Sequence, residues 1–103
     1  MENEEKNSTL FSLKLCSDRA AFRVQLRGKV FFNMEKVRQL FEDCSNCEVL
    51  VYTPHMIILR SEKAEITLSG DGRILIKKAA NESEATDVAH RILQLALKAA
   101  VKP

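Results

Sequence analysis

The stretch that decides the fold is "CEVLVYTPHMIILRSEKAEITLSGDGRILIKK", residues 47–78. It contains four short apolar segments, "CEVLVY", "HMIILR", "AEITLS" and "RILIKK", which Thr53-Pro54, "SEK" and "GDG" separate. Alternating apolar and polar side chains are typical of half-buried β-strands, and the separators are turn residues at hairpin spacing. The stretch therefore predicts an antiparallel meander of four strands.

Two further strands are predicted before this meander. "AFRVQLR", residues 21–27, places its apolar side chains on one face of a strand, and "LFSLKLC", residues 10–16, alternates in the same way. Residues 1–8 lack apolar periodicity and are predicted to be a disordered acidic tail. Residues 9–103 are therefore expected to form one domain.

One helix is predicted before the meander in the sequence and one after it, because the apolar side chains recur there every three or four residues. Asn33 is the expected N-cap of the first helix, which ends near Asp43. Asn81, with Glu84 three positions later, is typical of a capping box at the start of the second helix. The apolar stripes of the two helices are Met34, Val37, Leu40, Phe41 and Cys44, and Ala85, Val88, Ile92, Leu95, Ala96 and Ala99.

The order strand, helix, four strands, helix predicts an α+β domain with two layers. In this arrangement a curved antiparallel sheet of about five or six strands has both helices on one face, which leaves the other as the uncovered face. A length of 103 residues with 46% hydrophobic and 29% charged residues fits one such domain.

Composition also bears on where the chain is found. No apolar run approaches the roughly 20 residues that a membrane helix needs, and the polar, acidic start "MENEEKNST" differs from a secretory signal. Three cysteines, an odd number, fit a reducing compartment, so a cytoplasmic location is expected. The net charge is +2, and near +4 without the acidic tail, which permits an anionic partner without requiring one.

Three stretches, "GKVFFNMEKVRQLF", "EVLVYTP" and "ITLSGDGRILIKKAANESEATDVAHRIL", resemble one repeat of the TATA-box-binding protein family, within about residues 22–95. Here "MEKV", "LVYT", "GDGRILIKKA" and "ESEATDVAHRI" take the places of that family's "LEKI" helix, "LVYR" strand, glycine-turned hairpin and "SEEDA" helix. The resemblance implies a curved sheet whose concave face binds the DNA minor groove, with phenylalanines between base steps. Residues 47–52 and 66–73 contain no Phe, so no DNA-contacting residue is carried over from the family.

The strand alternation assigns side chains to the uncovered face. The candidates for binding nucleic acid, DNA or RNA, are Arg23, Gln25, Arg27, Arg60, Arg73 and Lys77. If the first and last strands are neighbours, Arg23, Arg27, Arg73 and Lys77 would form a basic patch suited to phosphates. The alternative is that these residues are ordinary solvated positions of a sheet face. The apolar candidates for a partner surface are Leu50, Tyr52, Met56, Ile58 and Leu75.

These apolar residues also predict a homodimer. One repeat supplies half of the saddle that a two-repeat protein uses, and an open strand edge favours pairing with a second copy. The "AFRVQLR" strands of two copies are expected to lie side by side about a two-fold axis. If "LFSLKLC" covers that edge instead, a monomer is expected.

Cys44 and Cys47 are the clearest candidates for chemistry, since two thiols three positions apart can bind a metal or exchange a disulfide. Both thiols are expected to face the core. The pair follows the C-terminus of the first helix, where the helix dipole opposes a thiolate. Buried structural cysteines are therefore favoured over a redox or metal site.

The predicted function is a noncatalytic binding domain. Sequence spacing indicates no recognisable catalytic arrangement around His55 or His90, and a hairpin turn explains the glycines of "SGDG" without a ligand. No catalytic residue, cofactor, metal, membrane contact or small-molecule substrate is identified. The alternatives are a protein-interaction or homodimerisation module and, less favoured, a small redox or metal protein that uses Cys44 and Cys47.

Overall fold

The structure, a computed structural model, describes residues 14–18, 21–26 and 29–101. The predicted tail at residues 1–8, the first part of the "LFSLKLC" strand and Arg27 lie outside these residues. The elements in chain order are β1 (Lys14–Asp18), β2 (Ala21–Gln25), β3 (Phe31–Phe32), α1 (Met34–Glu42), β4 (Glu48–Tyr52), β5 (Met56–Ser61), β6 (Ala64–Ser69), β7 (Ile74–Lys77), α2 (Glu82–Ala96), a 3₁₀ turn (Leu97–Ala99) and β8 (Ala100–Val101). The predicted α+β class, with an antiparallel sheet and two helices, is confirmed.

The main sheet has six strands in the order β1-β2-β7-β6-β5-β4, and every neighbouring pair is antiparallel. Strands β4 to β7 form the predicted meander. Because β2 pairs with β7, the first and last predicted strands are neighbours as the basic patch requires. Strand β1 pairs with the other side of β2, so β2 has no free edge for the expected side-by-side contact with a second copy. β3 and β8 form a separate two-stranded sheet.

The core lies between the main sheet and the two helices. Strands β5, β6 and β7 bury every second side chain, and Leu59, Ile66 and Ile76 are fully buried. These residues form one cluster with Phe41 of α1 and Leu93 of α2. Burying one such side chain contributes about 1.5–3 kcal/mol, so the shared cluster fixes both helices on the same face of the sheet. No described helix lies on the opposite, uncovered face.

Both helices begin at the predicted asparagine caps. The Asn33 Oδ1 atom accepts a hydrogen bond of 3.1 Å from the Lys36 N–H. The Asn81 Oδ1 atom accepts one of 2.9 Å from the Glu84 N–H, and the Glu84 carboxylate accepts one of 3.0 Å from the Ala80 N–H. Each cap contributes about 1 kcal/mol, because it satisfies an N–H that the helix leaves without a partner.

Within the described residues, no helix combines the length and apolar character that a membrane span requires.

The turn between β6 and β7 positions the loop that precedes β3. Gly72 has a φ of +94°, and a Cβ atom at this position would lie 2.4 Å from the Val30 carbonyl oxygen. The Phe32 N–H also donates a hydrogen bond of 2.9 Å to the Gly70 carbonyl. Only glycine fits this backbone conformation and this close approach, so the turn fixes the loop at one end of the uncovered face.

Candidate binding face of the sheet

A bulge in β4 changes which of its side chains point to the uncovered face. Val49 pairs with Leu59, but the next pair is Val51 with Ile58, so Leu50 is the extra residue of the bulge. Val51 is therefore on the uncovered face, where its exposed fraction is 44%. Sequence alternation missed Val51, because a bulge shifts the strand register without changing its composition.

The bulge also corrects the prediction for Tyr52. Tyr52 pairs with the fully buried Ile57, which faces the helices, so the Tyr52 ring lies on the helix side of the sheet. There the Arg38 guanidinium of α1 lies 5.2 Å from the centroid of the ring, a cation–π distance. Tyr52 does not belong to the candidate partner surface.

Cross-strand pairing aligns the uncovered side chains in rows. The central row runs from β2 to β4 through directly paired residues, Arg23, Leu75, Thr67, Ile58 and Val51. Arg23 is exposed, whereas Leu75, Thr67 and Ile58 are half-buried. The central row therefore has a cation at one end and apolar side chains at the other.

A second row, the charged row, consists of Lys77, Glu65, Arg60 and Glu48, again directly paired from strand to strand. Its charges alternate in sign. The Arg60 Nη2 atom lies 2.9 Å from the Glu48 Oε1 atom, and Lys78 forms an ion pair of 3.1 Å with Glu65. The charge of Arg60 is therefore offset by Glu48, which makes it a weaker phosphate ligand than the sequence indicates.

Most of the remaining candidates gather in a groove at the end of the uncovered face next to the β6–β7 turn. This groove, the basic groove, has a volume of about 770 Å³. Its polar lining comprises Arg23, Gln25, Lys29, Thr67, Ser69, Asp71 and Arg73. Asp71 is the one acidic side chain among the described lining residues, and it forms an ion pair of 3.3 Å with Arg73. The lining is therefore rich in cationic groups and hydrogen-bond donors.

Lys29 of the basic groove was missed from the sequence, because it lies outside the predicted strands. The loop before β3 brings it there through the contact between Val30 and Gly72. The glycine of "GDG" was the one available signal, since a glycine in a turn can mark the close approach of another backbone segment.

The apolar candidates are divided between the two ends of the face. Met56 and Ile58 lie near the β4 edge with Val51, whereas Leu75 lies in the basic groove. Met56, Ile58 and Leu75 are all half-buried. Leu50 is half-buried and, as the bulge residue, has no cross-strand partner that assigns it to a face. With Tyr52 removed and Val51 added, the paired apolar side chains at the β4 edge are Val51, Met56 and Ile58, which form the apolar patch.

The two cysteines lie on the helix side, away from this face. Cys44 and Cys47 are half-buried, and their sulfur atoms are 3.3 Å apart. Burial, with the neighbouring Cys44 thiol, raises the pKa of Cys47 to about 12. The described residues contain no group of three or more His, Cys, Asp or Glu side chains that could hold a metal ion.

Comparisons with protein-family models, with curated proteins and with solved structures found no match for the chain.

Proposed function

We propose that this chain is a noncatalytic binding domain that holds nucleic acid, DNA or RNA, on the uncovered face of its sheet. The observation that supports this best is the basic groove, in which Arg23 and Lys29 lie among the hydrogen-bonding side chains of Gln25 and Thr67. Cations and hydrogen-bond donors of this kind bind phosphate oxygens. The resemblance to a TATA-box-binding protein repeat supports the same use of the same face.

The central row suggests how a bound strand is oriented. Arg23 at the groove end suits the sugar–phosphate backbone, and Ile58 and Val51 at the other end suit the apolar faces of bases. The described face presents no aromatic wedge, so bases are expected to pack on the sheet without the kinking that minor-groove wedges produce.

Binding to labelled oligonucleotides at two salt concentrations tests this proposal. Single-stranded DNA, single-stranded RNA and duplex DNA are compared by fluorescence anisotropy. Arg73 is offset by Asp71, so contacts from Arg23 and Lys29 predict that log K falls with log salt with a slope of about −1.5 to −2. Absence of binding, or binding that does not depend on salt, would contradict the proposal.

A second candidate function is self-association through the apolar patch. Val51 is 44% exposed on the outer strand β4, and Met56 and Ile58 lie beside it. An apolar patch at a sheet edge favours a second copy of the chain, because a two-fold contact needs only one self-complementary surface. This contact replaces the one expected at β2, and it leaves the basic groove free.

A further inference from the structure

The segment between α1 and β4 holds the two thiols in a tight turn. The Cys47 N–H donates a hydrogen bond of 3.3 Å to the Cys44 carbonyl, which makes them the first and last residues of a four-residue turn. In such turns the end Cα atoms are less than about 7 Å apart, and disulfides span about 4.4–6.8 Å between Cα atoms. The sulfur atoms are 3.3 Å apart, so they must approach by about 1.25 Å to reach the disulfide length, a shift that rotation of the two side chains can supply.

The thiols open into a pocket of about 370 Å³ on the helix side of the sheet. Ser61 of β5, Arg91 of α2 and Lys98 of the 3₁₀ turn also line this pocket. The Arg91 guanidinium donates a hydrogen bond of 3.4 Å to the Ser61 hydroxyl. The Arg91 guanidinium also lies 4.0 Å from the exposed Glu62 carboxylate, a long surface contact that offsets its charge little. Arg91 and Lys98 together favour an anionic reagent beside the thiol pair over a metal cation. The sequence did not indicate this pocket, because the turn, β5 and α2 are distant along the chain.

We propose that Cys44 and Cys47 are a reversible modification site, a dithiol that an anionic low-molecular-weight disulfide of the glutathione class oxidises to an intramolecular disulfide. This site is separate from the basic groove and does not depend on the proposed nucleic-acid binding.

The reaction proceeds in two exchange steps. The Cys44 thiolate attacks one sulfur of glutathione disulfide, which forms a mixed disulfide and releases one glutathione thiolate that takes up a proton. The Cys47 thiolate then attacks the Cys44 sulfur and releases the second glutathione. The two protein thiols lose two protons and two electrons in total, and the glutathione disulfide gains both to become two thiols.

The surroundings of Cys47 support this order. Burial and, while it is free, the Cys44 thiol raise the pKa of Cys47, which disfavours Cys47 as the first thiolate and leaves Cys44 as the attacking group. Arg91 and Ser61 act in the opposite direction and lower that pKa. Once Cys44 is in a mixed disulfide, its thiol no longer raises the pKa of Cys47. Burial still raises that pKa, and Arg91 and Ser61 still lower it, so the Cys47 thiolate forms more readily than in the free dithiol.

Peptide mapping tests the site in the full chain. The protein is incubated with glutathione disulfide, quenched with acid, alkylated with N-ethylmaleimide and digested with trypsin. Cleavage after Arg38 and Arg60 gives one peptide, residues 39–60, that contains both Cys44 and Cys47 and excludes Cys16. Its mass should show no label and the loss of two hydrogen atoms. A peptide that stays doubly alkylated would overturn the proposal.

Two variants test the order of attack. Cys47→Ser should accumulate one glutathione on Cys44, because no second thiol displaces it. Cys44→Ser should react more slowly, since Cys47 packs against the core and its burial raises the pKa of its thiol. Faster modification of Cys44→Ser than of Cys47→Ser would contradict the assigned order.

The pocket cations have a separate test with two oxidants. Arg91→Gln should lower the oxidation rate by glutathione disulfide about two- to fivefold, the size of one exposed charge interaction. Its rate with the uncharged 2-hydroxyethyl disulfide should stay unchanged. Equal slowing with both disulfides would contradict recognition of an anionic reagent.

Stoichiometric zinc on the purified protein, displaced by the same oxidants, would contradict the assignment of Cys44 and Cys47 as a dithiol modification site.

Discussion

Arg60 and Glu48 face each other across β5 and β4, with 2.9 Å between the Arg60 Nη2 atom and the Glu48 Oε1 atom. Both side chains are substantially exposed, so this pair contributes little to stability. Within the described residues, four of the predicted phosphate-binding cations lie on the uncovered face, and Glu48 offsets the charge of one of them, Arg60. The pair therefore leads to a prediction about binding.

Glu48→Gln is expected to strengthen nucleic-acid binding, because it frees Arg60 to contact phosphate. The slope of log K against log salt should become steeper by about one unit. Anisotropy titrations at several salt concentrations measure both quantities. Arg60→Ala in the otherwise unchanged chain should have a small effect, and a large loss of affinity in that variant would contradict the offset.

Arg23→Ala should weaken binding and reduce the salt slope by about one unit, because Arg23 lines the basic groove. Lys77→Ala should also weaken binding, because Lys77 is exposed on β7 next to β2, the strand that carries Arg23. Lys36→Ala is the matched control, since Lys36 is an exposed cation of α1 in the helix layer. Equal losses for Arg23→Ala and Lys36→Ala would assign the effect to net charge alone.

Gly72→Ala is expected to destabilise the domain by about 1–3 kcal/mol, because it adds a Cβ atom 2.4 Å from the Val30 carbonyl at a φ of +94°. Urea unfolding followed by circular dichroism measures the change. Gly70→Ala is the control, since its Cβ would lie 3.5 Å from the nearest atom, in the flexible Met34 side chain. Similar losses for the two variants would show that the Val30 contact is not rigid.

The stability of the reduced protein should fall at high pH because of Cys47. Its pKa in the folded state is raised to about 12, above the value of about 8.5 in an unfolded chain. A raised pKa gives stability that is complete below the unfolded value and is lost as the pH rises towards the folded value. The urea midpoint should therefore fall above about pH 8.5 more steeply than in Cys47→Ser. Parallel pH profiles would contradict the raised pKa.

The chain should form a homodimer through the apolar patch at β4. Light scattering at micromolar concentration measures the mass, and Val51→Lys should shift the population to monomer because it places a charge on the exposed edge. Gln25→Lys is a control for added charge, since Gln25 is exposed on β2, away from the apolar patch on the same face. A mass near 11.7 kDa for the unchanged chain would contradict the dimer.

The regular part of the fold was predictable because its information is local. Strands β4 to β7 agree with the four apolar segments to within about a residue, and both asparagine caps are where the sequence indicates. The pairing of β2 with β7 was inferred only as a condition, because strand order depends on contacts that are distant in sequence.

The candidate site was predictable only in part. Arg23, Gln25 and Arg73 meet in the basic groove as alternation and neighbouring strands imply. The bulge at Leu50 was not detectable, so Tyr52 was assigned to the wrong face and Val51 was missed. The ion pair of Arg60 depends on which residue lies opposite, and a sequence does not specify this until the register is known.

The contact between Arg38 and Tyr52 provides a built-in optical probe. The chain has one tyrosine and no tryptophan, so fluorescence excited in the tyrosine absorption band, where phenylalanine does not absorb, comes from Tyr52 alone. A guanidinium 5.2 Å from the ring centroid places that single emitter between α1 and the outer strand. Stopped-flow refolding can therefore report when this helix docks on the sheet, without an introduced label.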